Sequence, residues 1–246
     1  MFKYIAQIWH SKDLRKKILF TLFILTVFRL LTHITIPGVD LDALQTVFEK
    51  NKLLGAFSLL TGGSAENFSI VLMGLSPYIN ASIIMQLMTV ISPRLEAMSK
   101  EGADGRQKIN QITRWLTFPI AFLQSYGMIS LINASAPVPI IQDIADPSVI
   151  LPIMITVSAG TVLLMWLGEL ITEKGIGNGI SLLIFGGIMA GVPSILGSTM
   201  ALAEQDIQKL IPFVGMVLLT IFFIIVVILV TEGQRRIPIT YAGRGR

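Results

Sequence analysis

Cysteine is absent from the 246 residues, which excludes a disulfide framework, a thiolate metal site and a cysteine nucleophile. Histidine is nearly absent: His10 and His33 are the only two, they form no H-E-x-x-H pattern, and a zinc hydrolase has nothing to build its centre from. Charge is also scarce. Only 14% of the residues are charged, and no acidic residue falls near the middle of an apolar run, where ion- or proton-coupled transporters bind their coupling ion. Apolar surface is what the chain has in abundance: 53% of residues are hydrophobic and the mean hydropathy is +0.73, beyond what a water-soluble domain of this length carries. The composition predicts an all-α polytopic membrane protein with no cofactor, no metal and no catalytic residues of its own.

Six apolar runs are long enough to span a bilayer as helices, at 18–36, 68–91, 112–132, 148–171, 179–197 and 210–231. The first would be about 28 Å long at 1.5 Å per residue, close to the roughly 30 Å hydrocarbon core, and Pro37-Gly38 stops it. It is too long for a signal-peptide core and no small-residue cleavage site follows, so it is expected to be retained. Before it, residues 1–17 mix Phe2, Ile5, Ile8 and Trp9 with five basic residues, a composition suited to an amphipathic segment at an anionic membrane surface. Six spans put both termini on one side, and 15 of the 19 basic residues then fall on that side while 8 of the 15 acidic ones fall on the other. The positive-inside rule makes both ends of the chain cytoplasmic.

Several features stand out from this pattern. Residues 53–60 are apolar but span only about 12 Å as a helix, so they either lie at the outer interface or fold back into the bundle, where a cavity would accompany them. The second span carries Ser69, Ser76, Asn80, Ser82 and Gln86 around Pro77; such polarity suits burial among helices, and the row Leu75, Ile79, Ile83 also suits a hydrophobic constriction that closes by expelling water. Gly175-Ile176-Gly177-Asn178-Gly179 imitates half of a dinucleotide fingerprint, but Ile180 occupies the third glycine position, which leaves a tight turn between helices. Gly187 and Gly191 form a G-x-x-x-G in the fifth span, a common close-packing device. Arg29, twelve positions into the first span, costs about 2.5–3.5 kcal/mol to insert and requires a partner or a route to the interface. The stretch 92–114 is polar and mixed in charge, and the final TEGQRRIPITYAGRGR is strongly basic, suited to acidic partners such as RNA phosphate or anionic lipid.

The strings IPGVD, GLSPYINASIIMQL, SKEGADGRQKINQITRW, MWLGELITEKGIGNGISLLIF and EGQRRIPITYA resemble the SecY family, whose members form the central subunit of the bacterial Sec protein-translocation channel. The likeness runs from the first span to about Ala242. It implies the first half of a pseudo-symmetric ten-helix channel plus its sixth helix, a little over half of a whole one. On this basis 1–17 is a cytoplasmic amphipathic segment, 18–197 the first five-helix half with a plug at 53–67, and 198–246 the sixth helix and the start of a basic cytoplasmic loop. The resemblance assigns the re-entrant plug to Leu53, Leu54, Gly55, Ala56, Phe57, Ser58, Leu59, Leu60, Thr61, Gly62 and Gly63. It assigns the aliphatic pore ring to Leu75, Ile79, Ile180 and Ile184, with Leu75 standing where most members have isoleucine. Asn80, Gln86 and Gln124 fall on one side of the lateral gate, and Arg235, Arg236 and Arg244 on the loop that meets the ribosome or the SecA motor. The implied partners are SecE, SecG, SecA, the ribosome, signal sequences, unfolded preproteins and lipid, in the bacterial inner membrane. Half of an inverted-repeat secondary transporter is the alternative, and a non-transporting helical scaffold a third possibility.

Overall fold

The computed structural model describes residues 11–136, 139–141, 143–205 and 210–233. Its helices are α1 (Lys12–Leu31), α2 (Leu41–Lys50), α3 (Lys52–Leu60), α4 (Ser76–Ile91), α5 (Pro93–Lys100), α6 (Ala103–Ser135), α7 (Pro147–Lys174), α8 (Gly179–Gln205) and α9 (Leu210–Glu232). No strand occurs among the described residues; a single antiparallel bridge joins Thr35 to Ser69.

Local chemistry fixes several helix starts. Asp40 caps α2, its Oδ1 accepting from the backbone N–H groups of Asp42 and Ala43, both at 3.1 Å, and Asp146 caps α7 by accepting from Ser148 N–H at 2.9 Å. That bond holds the Asp146 carboxyl below the usual carboxylate range. Prolines stand in the first turns of α4, α5 and α7, where the missing N–H costs no intrahelical bond.

The chain divides into two compact units, residues 1–192 and 193–246. In the first, α6 packs on α4, α5 and α7, and α1 packs on α7. One apolar core joins α2 and α3 to the end of α6 and the start of α7, through Leu44, Phe48, Leu54, Phe68, Leu72, Ile129, Ile132 and Val157. Asn133 Oδ1 accepts from Ile140 and Ile141 N–H at 2.8 and 3.1 Å, and Asp40 N–H donates to Ile140 O, so the loops after α1 and α6 meet at this end. The second core lies between α1, α7 and the start of α8, through Ile24, Phe28, Val71, Leu75, Leu164, Leu167, Ile171 and Leu183. Here α7 and α8 interlock: a Cβ added at Gly179 would collide with the Gly168 carbonyl, and one at Gly168 would stand 2.8 Å from Ile180 Cγ1. Gly179 N–H also donates to Thr172 Oγ1 at 2.8 Å. In the second unit, α9 is apolar through nearly all of its 23 residues.

Among the described residues, three helices are long and apolar enough to cross a membrane: α6, α7, and residues Ile211–Glu232 of α9. The other expected spans differ in extent. The helix of the first stops at Leu31 rather than 36, which puts Arg29 in its last turn rather than mid-span. The second does not begin at 68: residues 61–75 are non-helical and α4 starts only at Ser76, leaving 16 residues, about 24 Å. Helix α8 runs past the expected 197 to Gln205. Residues 1–10 of the expected amphipathic segment lie outside the described residues, and Lys12 to Lys17 continue into α1.

Candidate functional site

The expected plug begins as a short helix and ends in tight turns. In α3, Leu54 is buried in the core shared with α2, and Phe57 packs partly against it, whereas Leu53 is 83% exposed. Gly55 and Ala56 are less than fully covered; Ser58 is buried and its Oγ has no hydrogen-bond partner among the described residues. The side chains of Leu59 and Leu60 lie outside the described residues. Thr61 Oγ1 donates to Ser58 O at 3.1 Å, and Gly63 N–H donates to the same carbonyl at 2.8 Å, closing the end of the helix. Gly62 has φ +71°, and a Cβ there would stand 2.9 Å from Gly187 Cα on α8, so both the turn and the close approach require glycine.

Residues 61–75 then thread the interior. Non-helical backbone can persist at membrane depth only when protein satisfies it. Here Ile36 N–H donates to Phe68 O and Ile70 N–H to Ile34 O, at 3.1 and 3.0 Å, while Ser69, Leu72 and Gly74 N–H groups find acceptors within the segment. Asn67 Nδ2 donates to Thr32 O at 3.1 Å, and Arg29 Nη1 to Gly62 O at 2.6 Å. Helix α7 lies so close that a Cβ at Gly160 would collide with the Ile70 carbonyl. The hydrogen-bond partner of Arg29 is therefore a backbone carbonyl of the expected plug.

Three of the four expected ring residues come together. Leu75 is buried in the second core, and Ile180 and Ile184 pack, half-buried, on that same cluster. Ile79 lies one turn beyond Leu75 on α4, outside the cluster and 37% exposed. Of the expected gate residues, Asn80 and Gln124 line one groove of about 440 Å³ between α4 and α6, with Ile83, Ile84, Ile120 and Leu123. Gln124 also borders a second groove, of about 450 Å³, shared with Leu53, Phe57 and Met73, and its Oε1 is buried without a partner among the described residues. Gln86 is elsewhere, exposed, its Nε2 donating to Ser82 Oγ at 3.4 Å. Arg235, Arg236 and Arg244 lie outside the described residues.

One element has almost no signature in the sequence. Tyr78, Asn110, Arg114, Trp166, Glu169, Glu173 and Asn178 line a polar cavity of about 620 Å³ that Ile180 also borders. Arg114 Nε and Glu169 Oε1 pair across it at 2.6 Å, bonding α6 to α7. Their shared placement at one end of adjacent antiparallel spans is the single sign of it among the residues themselves.

Comparison with known proteins places this geometry. The SecY family model matches residues 69–246, nearly three quarters of the chain. The chain belongs to the SecY family. Among its relatives, the protein translocase subunit SecY of Streptomyces scabiei is 43% identical over 97% of this chain and 57% of its own length, and that of Pseudomonas aeruginosa 42% identical over 94% and 52%. The chain thus spans about half the length of the curated relatives it matches. Two solved structures share the fold at 19% identity: a protein-conducting channel, with TM-score 0.60 over 85% of this chain and 46% of that one, and Sec61 in a canine ribosome–channel complex from the endoplasmic reticulum, with TM-score 0.59 over 93% and 50%.

Proposed function

We propose that this SecY-family chain supplies the first five-helix half and sixth helix of a channel through which unfolded polypeptides cross, or enter sideways, the bacterial cytoplasmic membrane. The observation that carries the proposal is the aliphatic set Leu75, Ile180 and Ile184, gathered beside a polar cavity that Ile180 borders and next to the inward-folded segment that follows α3. An aliphatic constriction excludes water and ions at rest and yields around chemically varied substrates, because it makes no specific bonds with them. The exposed Ile79, one turn from buried Leu75, suits a side chain directed at a lumen. Residues 53–63 serve as the plug, and Asn80 and Gln124, which line the groove on α4 and α6, lie on one side of the lateral gate by which a signal sequence departs, with Gln86 nearer the lipid. In this arrangement the chain has six spans, with α1, α4 and α8 completing the set begun by α6, α7 and α9, and both of its ends are cytoplasmic. SecE and SecG pack around it, while Arg235, Arg236 and Arg244 meet SecA or the ribosome, which supply the driving force.

Replacing Ile79 and Ile184 by serine in the intact channel should raise its resting ion conductance in planar bilayers while precursor transport persists. Unchanged leakage would remove these residues from the seal. Coupled uptake of an ion and a small solute, with no precursor crosslinks, would replace the channel with a transporter.

A further inference from the structure

The entry of α8 is held by a hydroxyl. Thr172 Oγ1, in the last turn of α7, donates to Gly168 O at 2.9 Å and accepts from Gly179 N–H at 2.8 Å. Gly179 is buried and opens α8, so its N–H is one of the first-turn donors that a helix cannot satisfy by itself. Asn178 Oδ1 accepts from Ser181 N–H at 3.1 Å, but that cap belongs to the same turn and ties α8 to nothing else. Among the described residues of 179–186, the Thr172 bond is the only hydrogen bond to another helix. It closes around Ile180: Gly168, whose carbonyl Thr172 holds, lies so near that an added Cβ would stand 2.8 Å from Ile180 Cγ1. The same turn meets a second threonine. Thr21 Oγ1 on α1 donates to Lys17 O at 2.9 Å and accepts from Ile176 N–H at 3.3 Å. The chemistry is alike, but Gly177, with φ +64° and open space beside it, separates that bond from Gly179.

We infer that Thr172 is a positioning residue of the constriction: its hydroxyl fixes where α8 begins against α7, and so sets the direction of Ile180 and Ile184. Ile180 follows Gly179 directly, and Ile184 lies one turn further on the same face. The inference rests on the channel reading for what these two side chains do, but the bond itself is a local property that can be measured separately. Aliphatic side chains seal without making directional bonds, so a constriction built from them cannot hold its own register. A directional bond behind it must do so. Threonine suits the task because its hydroxyl donates and accepts at once, and its branched Cβ restricts χ1. The bond into its own helix fixes the oxygen that Gly179 uses. Thr172 also lines the polar cavity that Ile180 borders, which decides what each substitution does. A valine methyl would take the place of the hydroxyl, leaving Gly179 N–H against carbon and keeping water out, whereas alanine would leave room for a water from the cavity to serve as acceptor.

The test compares Thr172→Val, Thr172→Ala, Thr172→Ser and Thr21→Val in the intact channel. Leaving one buried N–H without an acceptor shifts an equilibrium about tenfold. Thr172→Val should raise resting conductance by about that factor and Thr172→Ala by less, while Thr172→Ser should match the wild type. Thr21→Val removes an equivalent bond and should lower thermal stability to a similar degree, with conductance staying at the wild-type level. Amide exchange at Gly179 should accelerate in Thr172→Val and not in Thr21→Val. Wild-type conductance in Thr172→Val, in a channel that the serine substitutions of Ile79 and Ile184 do make leaky, would overturn the inference. So would equal leakage from Thr172→Val and Thr21→Val, which a general loss of stability would produce, or a leak that persists in Thr172→Ser. If the serine substitutions themselves cause no leak, the channel reading of these side chains fails. Gly179 exchange then decides the tether: faster exchange in Thr172→Val alone upholds it, and unchanged exchange overturns it.

Discussion

Eleven of the fifteen residues in 61–75 are buried, against three of the sixteen in the adjoining α4. The irregular stretch lies inside and the regular helix lies at the surface of the unit, the reverse of the usual arrangement in water, where loops sit outside. The cause is backbone hydrogen bonding. A helix satisfies its own N–H and C=O groups and can face lipid or another protein with any apolar side chains, whereas turns at membrane depth need neighbours that supply donors and acceptors. The neighbours here are the end of α1 and the glycine-lined face of α7. A second contrast follows: Leu75 at the end of the irregular stretch belongs to a core, and Ile79 one turn later does not.

The largest test of this contrast is Gly160→Ala. The added methyl group would collide with the Ile70 carbonyl, a backbone atom that cannot rotate away, so thermal unfolding in detergent should show a loss of about 4 kcal/mol or more. Gly127→Ala on α6, where nothing lies within 4 Å, should change stability the other way, by up to about 1 kcal/mol from helix propensity. Equal effects at the two glycines would mean that α7 does not support residues 61–75. Next in size, Leu75→Ala should cost about 2–4 kcal/mol and Ile79→Ala under about 1 kcal/mol; similar costs would place Ile79 in the core and erase the distinction. The smallest effect concerns a helix end outside the bundle. Asp146 has its carboxyl pKa lowered by Ser148 N–H, so its support of α7 is complete above the ordinary carboxylate pKa and lost as pH falls through the depressed one. Asp146→Asn should remove that acid dependence from amide exchange in the first turn of α7, and a persisting dependence would assign it to another group.

Long uninterrupted apolar runs make α6, α7 and α9 legible in the sequence, because length and hydropathy bear directly on a spanning helix. The same measure misjudges 68–75. The run Phe68–Leu75 is as apolar as a helix, and hydropathy does not separate a buried turn from a buried helix; Gly74 and Pro77 are the local signs, since proline is favoured in a first turn and so marks a start better than a centre. Arg29 stands out as needing a partner, but a backbone carbonyl 33 residues away leaves no trace in side-chain chemistry. The Arg114–Glu169 pair, 55 residues apart, depends on how two helices align and is equally hidden. Leu75, Ile180 and Ile184 share one apolar cluster although more than a hundred residues separate the first from the others, while Gln86 sits apart from Asn80 and Gln124.

The interlocked glycines of α7 and α8 have a mechanical consequence. With Gly179 seated on the Gly168 carbonyl and Ile180 against Gly168, the joint has no room to fold or slide, and the two helices respond to force as one bent lever. The ion pair from Glu169 to Arg114 ties α7, and with it the joint, to α6.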